Sequence, residues 1–213
     1  MPARLRVDNV TGVRRWAVEA YGHVAAALIW VLLATLRPTL RIRHTGRPAA
    51  LPDGGLIECA WHEHLPAYFL ACLPYRTRYV WMNHPAWYMR PIHVLLRWSG
   101  VGTLVLGSSG NDGWAALARV ADQVGAGAST FLNPDGPYGP ARVLKDGVLE
   151  LSARTGRPVV ALSFHYGAAW RLPTWDGKRV PVPFSTVEVR WAPPVVTTDR
   201  ERARAAVTEA LGT

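Results

Sequence analysis

The chain has 213 residues, of which 49% are hydrophobic, and this is enough for a single domain with a sizeable core. Its 24 basic residues outnumber its 15 acidic residues, and the formal net charge of +9 favours an anionic partner such as a phosphorylated substrate or a membrane surface. The basic residues are scattered along the chain rather than gathered in a run, so nucleic acid is not an expected partner.

An apolar segment near the N-terminus predicts a membrane-associated helix. Arginines flank this segment on both sides, and no charged residue lies between Val24 and Leu36. A spanning helix needs about 20 apolar residues, so this helix is expected to anchor in, or lie along, the inner leaflet. Ten tryptophans, which favour the border between lipid and water, point the same way. We therefore predict a membrane-associated helix in residues 1–37 and an α/β domain in residues 38–213; the alternative is a buried first helix.

Downstream of this helix, strand-like and helix-like segments alternate. Strands are predicted at 39–44, 55–60, 77–82, 102–107, 129–133 and 158–164. Helices are predicted at 63–73, 87–100, 111–127, 147–155 and from Asp199 onward. This alternation predicts an α/β fold in which helices flank a mostly parallel central sheet.

The stretch "ECAWHEH" places a histidine where a predicted strand gives way to a helix. Side chains at that point of an open α/β sheet often serve a ligand or a reaction. His62 is a candidate general base, since an imidazole takes a proton near neutral pH. Alternatively, His62 and His64 are zinc ligands, or both are ordinary partly buried histidines.

The stretch "NPDGPYGPARVLKDG", residues 133–147, is rich in proline and glycine and follows a predicted strand. A surface turn would explain part of this composition. A rigid loop with free backbone N–H groups, followed by cations, is also how α/β proteins hold a phosphate group. From these residues alone, a turn and a phosphate site both remain open.

Taken together, these stretches resemble the lysophospholipid acyltransferase-like superfamily. The resemblance runs from about residue 10 to residue 197 and rests on His62, "GSSGNDGWAAL", "NPDGPYGPARVLKDG" and "AWRLPTWDGKRVPVPFS" in that order. It is strongest with a bacterial branch catalogued as a domain of unknown function, some members of which acylate the lipid A precursor. The resemblance implies that a fatty acyl group moves from a thioester to a lipid hydroxyl.

The same resemblance implies roles for individual residues. His62 is the base that deprotonates the acceptor hydroxyl, and Asp135 orients His62 or Arg142. Residues that contact the substrate are expected at Ser108, Ser109, Pro134, Gly136, Pro137, Gly139 and Arg142. Trp170, Trp175 and Asp176 match the family's late tryptophan and Trp-Asp elements.

The chain departs from the family pattern in the acid that accompanies the histidine. The superfamily has an aspartate five positions after the base, and here that position is Ala67. Glu63, Asp135 or Asp112 must therefore reach His62 in space if the imidazole is to have a carboxylate partner. The loss of this acid is the argument for the alternative function, a non-catalytic relative that binds lipid headgroups.

A second histidine competes for the role of base. His84 is the second residue of the string "NHPAW", which is similar to the Asn-His-x-x-Trp start of the glycerol-phosphate acyltransferase motif, but it lies nearer to Pro134 in sequence than that motif requires. We prefer His62 and keep His84 as a contact to the acceptor.

The expected partners follow from the resemblance. They are a membrane lipid acceptor and an acyl donor carried on coenzyme A or on acyl carrier protein, with no metal and no other cofactor. The expected location is the cytoplasmic face of the inner membrane.

Overall fold

A computed structural model describes residues 6–48, 55–75, 78–107 and 112–212. Seven strands form one sheet, in the order β1-β9-β6-β2-β5-β3-β4. These strands are β1 (Arg41–Thr45), β2 (Ile57–Cys59), β3 (Tyr79–Asn83), β4 (Val101–Leu106), β5 (Ser129–Leu132), β6 (Val159–Tyr166) and β9 (Thr186–Trp191). A separate two-stranded sheet joins β7 (Ala169–Arg171) to β8 (Arg179–Pro181).

Every pairing in the main sheet is parallel except that of β6 with β9. The described residues form six α-helices: α1 (Gly12–Leu36), α2 (Leu65–Cys72), α3 (Arg90–Trp98), α4 (Gly113–Gly125), α5 (Gly147–Thr155) and α6 (Arg200–Leu211). The prediction of an α/β fold with helices around a mostly parallel sheet is confirmed, and the predicted strands and helices lie where the sequence pattern puts them. The division at residue 37 stays a prediction.

The core has two parts, one on each face of the sheet. Side chains of α2 and α3 pack with Leu56 on one face, together with residues of α1. Side chains of α4, α5 and α6 pack with Ile57 and Cys59 on the other face. All three residues of β2 are buried, as expected for a central parallel strand that is covered on both sides. The ends of β2 are therefore held in a fixed position.

Helix α1 is long, apolar and mostly exposed. It has 25 residues, which corresponds to a length of about 37 Å. By length and composition the helical segment Gly12–Thr39 is able to cross a membrane. An 18-residue part of this segment has a mean hydropathy of 1.7, and only 17% of that part is buried. Apolar side chains with large exposed fractions include Trp16 at 78% and Leu28 at 67%. The alternative of a fully buried first helix does not describe this element.

A narrow stripe of small residues fastens α1 to α3. Val18, Gly22 and Ala26 are the buried residues of its central turns, spaced four apart on one face of the helix. The Arg90 side chain crosses over Gly22 and forms an ion pair with Glu19 in which Nη2 lies 2.6 Å from Oε2. The absence of a side chain at Gly22 is what makes room for Arg90.

We expect Gly22→Val to detach α1 from α3. A Cβ atom at Gly22 would lie 2.4 Å from Cγ of Arg90, so the two helices cannot keep their present separation. The free energy of unfolding should fall by about 1–3 kcal/mol, the usual cost of overpacking. Chemical denaturation in detergent measures this change, and limited proteolysis should cut between α1 and the rest of the chain. Ala27→Val, at an exposed position of the same helix, is the control and should change neither result.

Candidate active site

His62 and Asp135 arise at matching positions on neighbouring strands. In the parallel pair β2 and β5, Cys59 is the register partner of Leu132. His62 follows Cys59 by the same number of residues as Asp135 follows Leu132. Because both strands run in the same direction, the two side chains emerge together at the carboxyl edge of the sheet, where open α/β sheets bind ligands.

The imidazole of His62 has a carboxylate partner. Its Nδ1 lies 2.7 Å from Oδ1 of Asp135, and the backbone N–H of His62 donates to both carboxylate oxygens at 3.3 Å. Asp135 is only 1% exposed, whereas the His62 side chain is 18% exposed. A carboxylate can only accept at neutral pH, so Nδ1 bears the proton and Nε2 is the nitrogen with the lone pair. This arrangement is suited to a general base.

Backbone contacts hold the loop that positions Asp135. The side chain of Asn133 donates to the carbonyl of Ala60 at 2.7 Å, which ties the loop to the segment preceding His62. The backbone N–H of Lys145 donates to the carbonyl of Pro134 at 2.8 Å. Arg142 N–H lies 3.4 Å from Oδ2 of Asp135. The carboxylate is thus fixed from both ends of the loop.

Glu63 does not partner His62; its carboxylate binds two arginines. Its side chain is 3% exposed, and Oε1 lies 2.6 Å from both Nε and Nη2 of Arg142. Nε of Arg179, on β8, lies 3.1 Å from Oε2. A buried carboxylate therefore holds two half-exposed guanidinium groups beside the residue that follows the candidate base. Sequence reasoning missed Arg179, because the burial of Glu63, which makes a cationic partner necessary, appears only in the structure.

His84 approaches the loop through Tyr138. Its Nδ1 accepts a hydrogen bond from the backbone N–H of Ala86 at 3.0 Å, and its Nε2 lies 2.6 Å from the Tyr138 hydroxyl. Nε2 is then the protonated nitrogen and the donor to Tyr138. With this tautomer His84 positions an exposed tyrosine of the loop and has no lone pair directed at an acceptor hydroxyl.

An aromatic side chain lies against the candidate base. The rings of Trp175 and His62 meet edge to face with centroids 5.3 Å apart. A Cβ atom at Gly139, whose φ is +71°, would lie 2.9 Å from ring atoms of Trp175. Gly139 therefore permits the close approach of loop and tryptophan, which sets one wall of the site.

The remaining predicted residues fall into three groups. Pro134, Gly136 and Pro137 lie in the same loop as Asp135. Asp112 pairs with Arg6, whose Nη1 lies 3.4 Å from its carboxylate. Ser108 and Ser109 lie outside the described residues, so their role as substrate contacts stays a prediction.

His62 and His64, the candidate zinc ligands, have separate partners. His62 pairs with Asp135, whereas Nδ1 of His64 lies 2.9 Å from the Tyr166 hydroxyl. Among the described residues, no three side chains of His, Cys, Asp or Glu are grouped as a metal site.

Two buried histidines are held neutral. Burial, and then the charges of Arg179 and Arg142, lower the pKa of His64 to about 3. Burial lowers the pKa of His93 to about 4; its Nε2 donates to the carbonyl of His84 at 3.1 Å. Both groups therefore favour the folded state above the ordinary histidine pKa of 6.5.

We expect the free energy of unfolding to fall on acidification, and His93→Gln should remove the part of this fall that is due to His93. The unfolded chain binds a proton at His93 below pH 6.5, whereas the folded protein does so only below about pH 4. The free energy of unfolding therefore falls as the pH is lowered from 6.5 to about 4. The loss at pH 5 should be about 2 kcal/mol. Glutamine retains a donor for the carbonyl of His84. The free energy of unfolding at pH 7.5 and at pH 5, compared between the two proteins, isolates this contribution; an equal loss in both would refute it.

No protein-family profile matches the chain. It is 27% identical over 142 residues to the uncharacterized protein RP090 of Rickettsia prowazekii (strain Madrid E), and this alignment covers 65% of the chain and 63% of that relative. The structure of this chain is similar to the crystal structure of the 1-acyl-sn-glycerophosphate (LPA) acyltransferase PlsC from Thermotoga maritima. The TM-score is 0.56 at 16% identity, covering 96% of this chain and 82% of that one. The chain therefore has the fold of a solved lipid acyltransferase.

Proposed function

We propose that the protein is a membrane-associated O-acyltransferase that moves a fatty acyl group from a thioester to a lipid hydroxyl, with His62 as general base. The observation on which this rests is the pair formed by His62 and Asp135 at the carboxyl edge of the sheet, with 2.7 Å between Nδ1 and Oδ1. The acyltransferase fold supports the same reaction class.

In the proposed reaction, Nε2 of His62 takes the proton of the acceptor hydroxyl as its oxygen attacks the thioester carbonyl carbon. The tetrahedral intermediate then collapses, the carbon–sulfur bond breaks, and the imidazolium returns its proton to the leaving thiolate. The products are an ester and a free thiol, and no acyl group is attached to the enzyme. Asp135 stabilises the imidazolium that forms between the two steps.

The arginines held by Glu63 are suited to an anionic acceptor. Arg142 and Arg179 carry two positive charges against one carboxylate, so the cluster has a net charge of +1 beside His62. The guanidinium groups are more than a third exposed and are directed by a buried acid, which reduces the entropy lost when they bind a phosphate group. We assign the headgroup of the acceptor to this place.

Membrane association and location form part of the proposal. The exposed apolar face of α1 supports contact with lipid. Acyl thioesters of coenzyme A and of acyl carrier protein are made in the cytoplasm, so the proposed location is the cytoplasmic face of the inner membrane. Either carrier fits the proposed chemistry, because both present the same thioester.

The alternative of a non-catalytic headgroup binder depended on the missing aspartate at position 67. A carboxylate within hydrogen-bonding reach of His62 is what separates the two functions. Asp135 occupies that place from another element of the fold, and this favours catalysis.

The test is acyl transfer from radiolabelled palmitoyl coenzyme A, and separately from palmitoyl acyl carrier protein, into a total lipid extract. Wild type, His62→Ala and His84→Ala are compared. We expect transfer by wild type, its loss in His62→Ala and its retention in His84→Ala, since Nε2 of His84 donates to Tyr138 of the loop. Loss in His84→Ala alone would assign the base to His84. No transfer by folded, membrane-bound wild type with either donor would favour the headgroup binder.

A further inference from the structure

In the connection between β6 and β9, residues 168–185 contain β7 and β8 and lie outside the main sheet. We call this segment the aromatic hairpin. Its base is closed by the N–H of Gly167, which donates to the carbonyl of Thr186 at 2.9 Å, and by that of Val182, which donates to Ala168 at 3.1 Å. Four of its apolar side chains are exposed: Trp170 at 54%, Leu172 at 39%, Trp175 at 47% and Phe184 at 78%. Several exposed apolar side chains within one short segment are a feature of binding surfaces.

Phe184 is the most exposed of these side chains and has a strained backbone. Its φ is +64°, in the left-handed region that bulky residues seldom occupy. Such strain costs on the order of 1–3 kcal/mol, and packing within the domain does not compensate for it, because the side chain is 78% exposed. A compensating contact outside the chain accounts for both observations.

The charges of the hairpin select the kind of partner. Arg171 and Arg179 are register partners on β7 and β8, and Lys178 precedes Arg179. The hairpin has one acid, Asp176, which is buried and forms an ion pair with Lys178. Arg179 binds Glu63, so Arg171 is the cation of the hairpin that has no ion pair among the described residues. Tryptophan and phenylalanine beside such a cation are typical of surfaces that lie in the headgroup region of an anionic bilayer.

The position of the hairpin agrees with this choice. Helix α2 packs against β8 and also against α1, so the hairpin and the apolar helix flank the same helical layer of the fold. Trp175 connects the hairpin to His62 through their ring contact. A surface that enters lipid at this place would present the site to substrates that lie in the bilayer.

We propose that the aromatic hairpin inserts into the surface of an anionic bilayer as a second lipid contact, separate from α1. The proposal rests on the proposed membrane association and extends it, since it brings the opening beside His62 to the level of the headgroups. Phe184 and Trp170 enter the lipid interface, and Arg171 lies among the phosphates.

A fluorescent probe at position 184 tests the insertion. Cys59 is buried and burial raises the pKa of its thiol, and the partly exposed Cys72 is replaced by serine, so a cysteine introduced by Phe184→Cys is the thiol that reacts with an environment-sensitive label. The labelled full-length protein is mixed with vesicles of phosphatidylethanolamine and phosphatidylglycerol that contain a spin-labelled lipid. We expect a blue shift and a loss of emission by quenching. Trp114→Cys is the control, because Trp114 is 62% exposed on α4, which covers the face of the main sheet opposite to α2 and the hairpin. A label at position 114 should stay in water.

The outcomes separate this proposal from the function itself. A label at 184 that stays in water while the protein sediments with vesicles would overturn the insertion, as would a failure to sediment. Phe184→Ser should raise the KM for acceptor presented in vesicles and leave transfer to acceptor in detergent micelles unchanged; equal effects in both would indicate a role in the fold instead. If wild type transfers no acyl group at all, the proposed function fails while the probe still reports on insertion.

Discussion

Replacing Asp135 with Asn will lower the kcat of acyl transfer by about 10³- to 10⁴-fold while the protein stays folded. The amide can donate a hydrogen to Nδ1 of His62, which favours the tautomer in which Nε2 is protonated. That tautomer has no lone pair for the acceptor hydroxyl. The neutral amide also fails to stabilise the imidazolium, so both contributions of the carboxylate are lost together.

The measurement is kcat with saturating donor and acceptor, accompanied by circular dichroism to confirm the fold. Asp146→Asn is a suitable control, because Asp146 pairs with Arg204 at the far end of the same loop and does not contact His62. A fall of less than tenfold in Asp135→Asn would mean that His62 acts without this carboxylate.

The separation of His62 from its acid explains how much of the site the sequence could predict. The strands that precede His62 and Asp135 were predictable, because each is a short apolar run next to a turn or a helix. Their adjacency was not predictable, because β5 is inserted between β2 and β3 only by the order of the sheet. The aspartate that the resemblance predicts five positions after His62 is absent, because that position is Ala67. The carboxylate beside His62 comes instead from a residue 73 positions away that lies at the same level of a neighbouring strand.

Glu63 illustrates a second limit. Its position beside His62 made it a candidate partner in sequence, but adjacent residues at the start of a helical turn point in different directions. Glu63 is directed toward Arg142 and Arg179, which come from two later parts of the chain. The two-stranded sheet that brings Arg179 there lies in a stretch whose prolines and tryptophans give no clear strand pattern. Long-range contacts of this kind follow from tertiary packing and are not encoded in local periodicity.

Replacing Glu63 with Gln will destabilise the protein and weaken its hold on an anionic acceptor. The carboxylate neutralises one of two guanidinium charges at a site where it is itself 3% exposed. Its loss leaves Arg142 and Arg179 to repel each other, and removing one member of a buried ionic pair costs about 3–5 kcal/mol. We expect a smaller loss, about 2–3 kcal/mol in the free energy of unfolding, since glutamine retains one oxygen that accepts a hydrogen bond.

Glu150→Gln provides a matched control on the same chain. Glu150 also binds two arginines, Arg154 and Arg200, but on the surface of α5, where such pairs are worth less than about 1 kcal/mol. Denaturant unfolding of both variants therefore isolates the effect of burial. In transfer assays, Glu63→Gln should raise the KM for a lipid acceptor that carries a phosphate group and leave that for the same acceptor without the phosphate near the wild-type value. An equal rise for both acceptors would mean that Glu63 supports the fold of the site and that the arginines do not bind the headgroup.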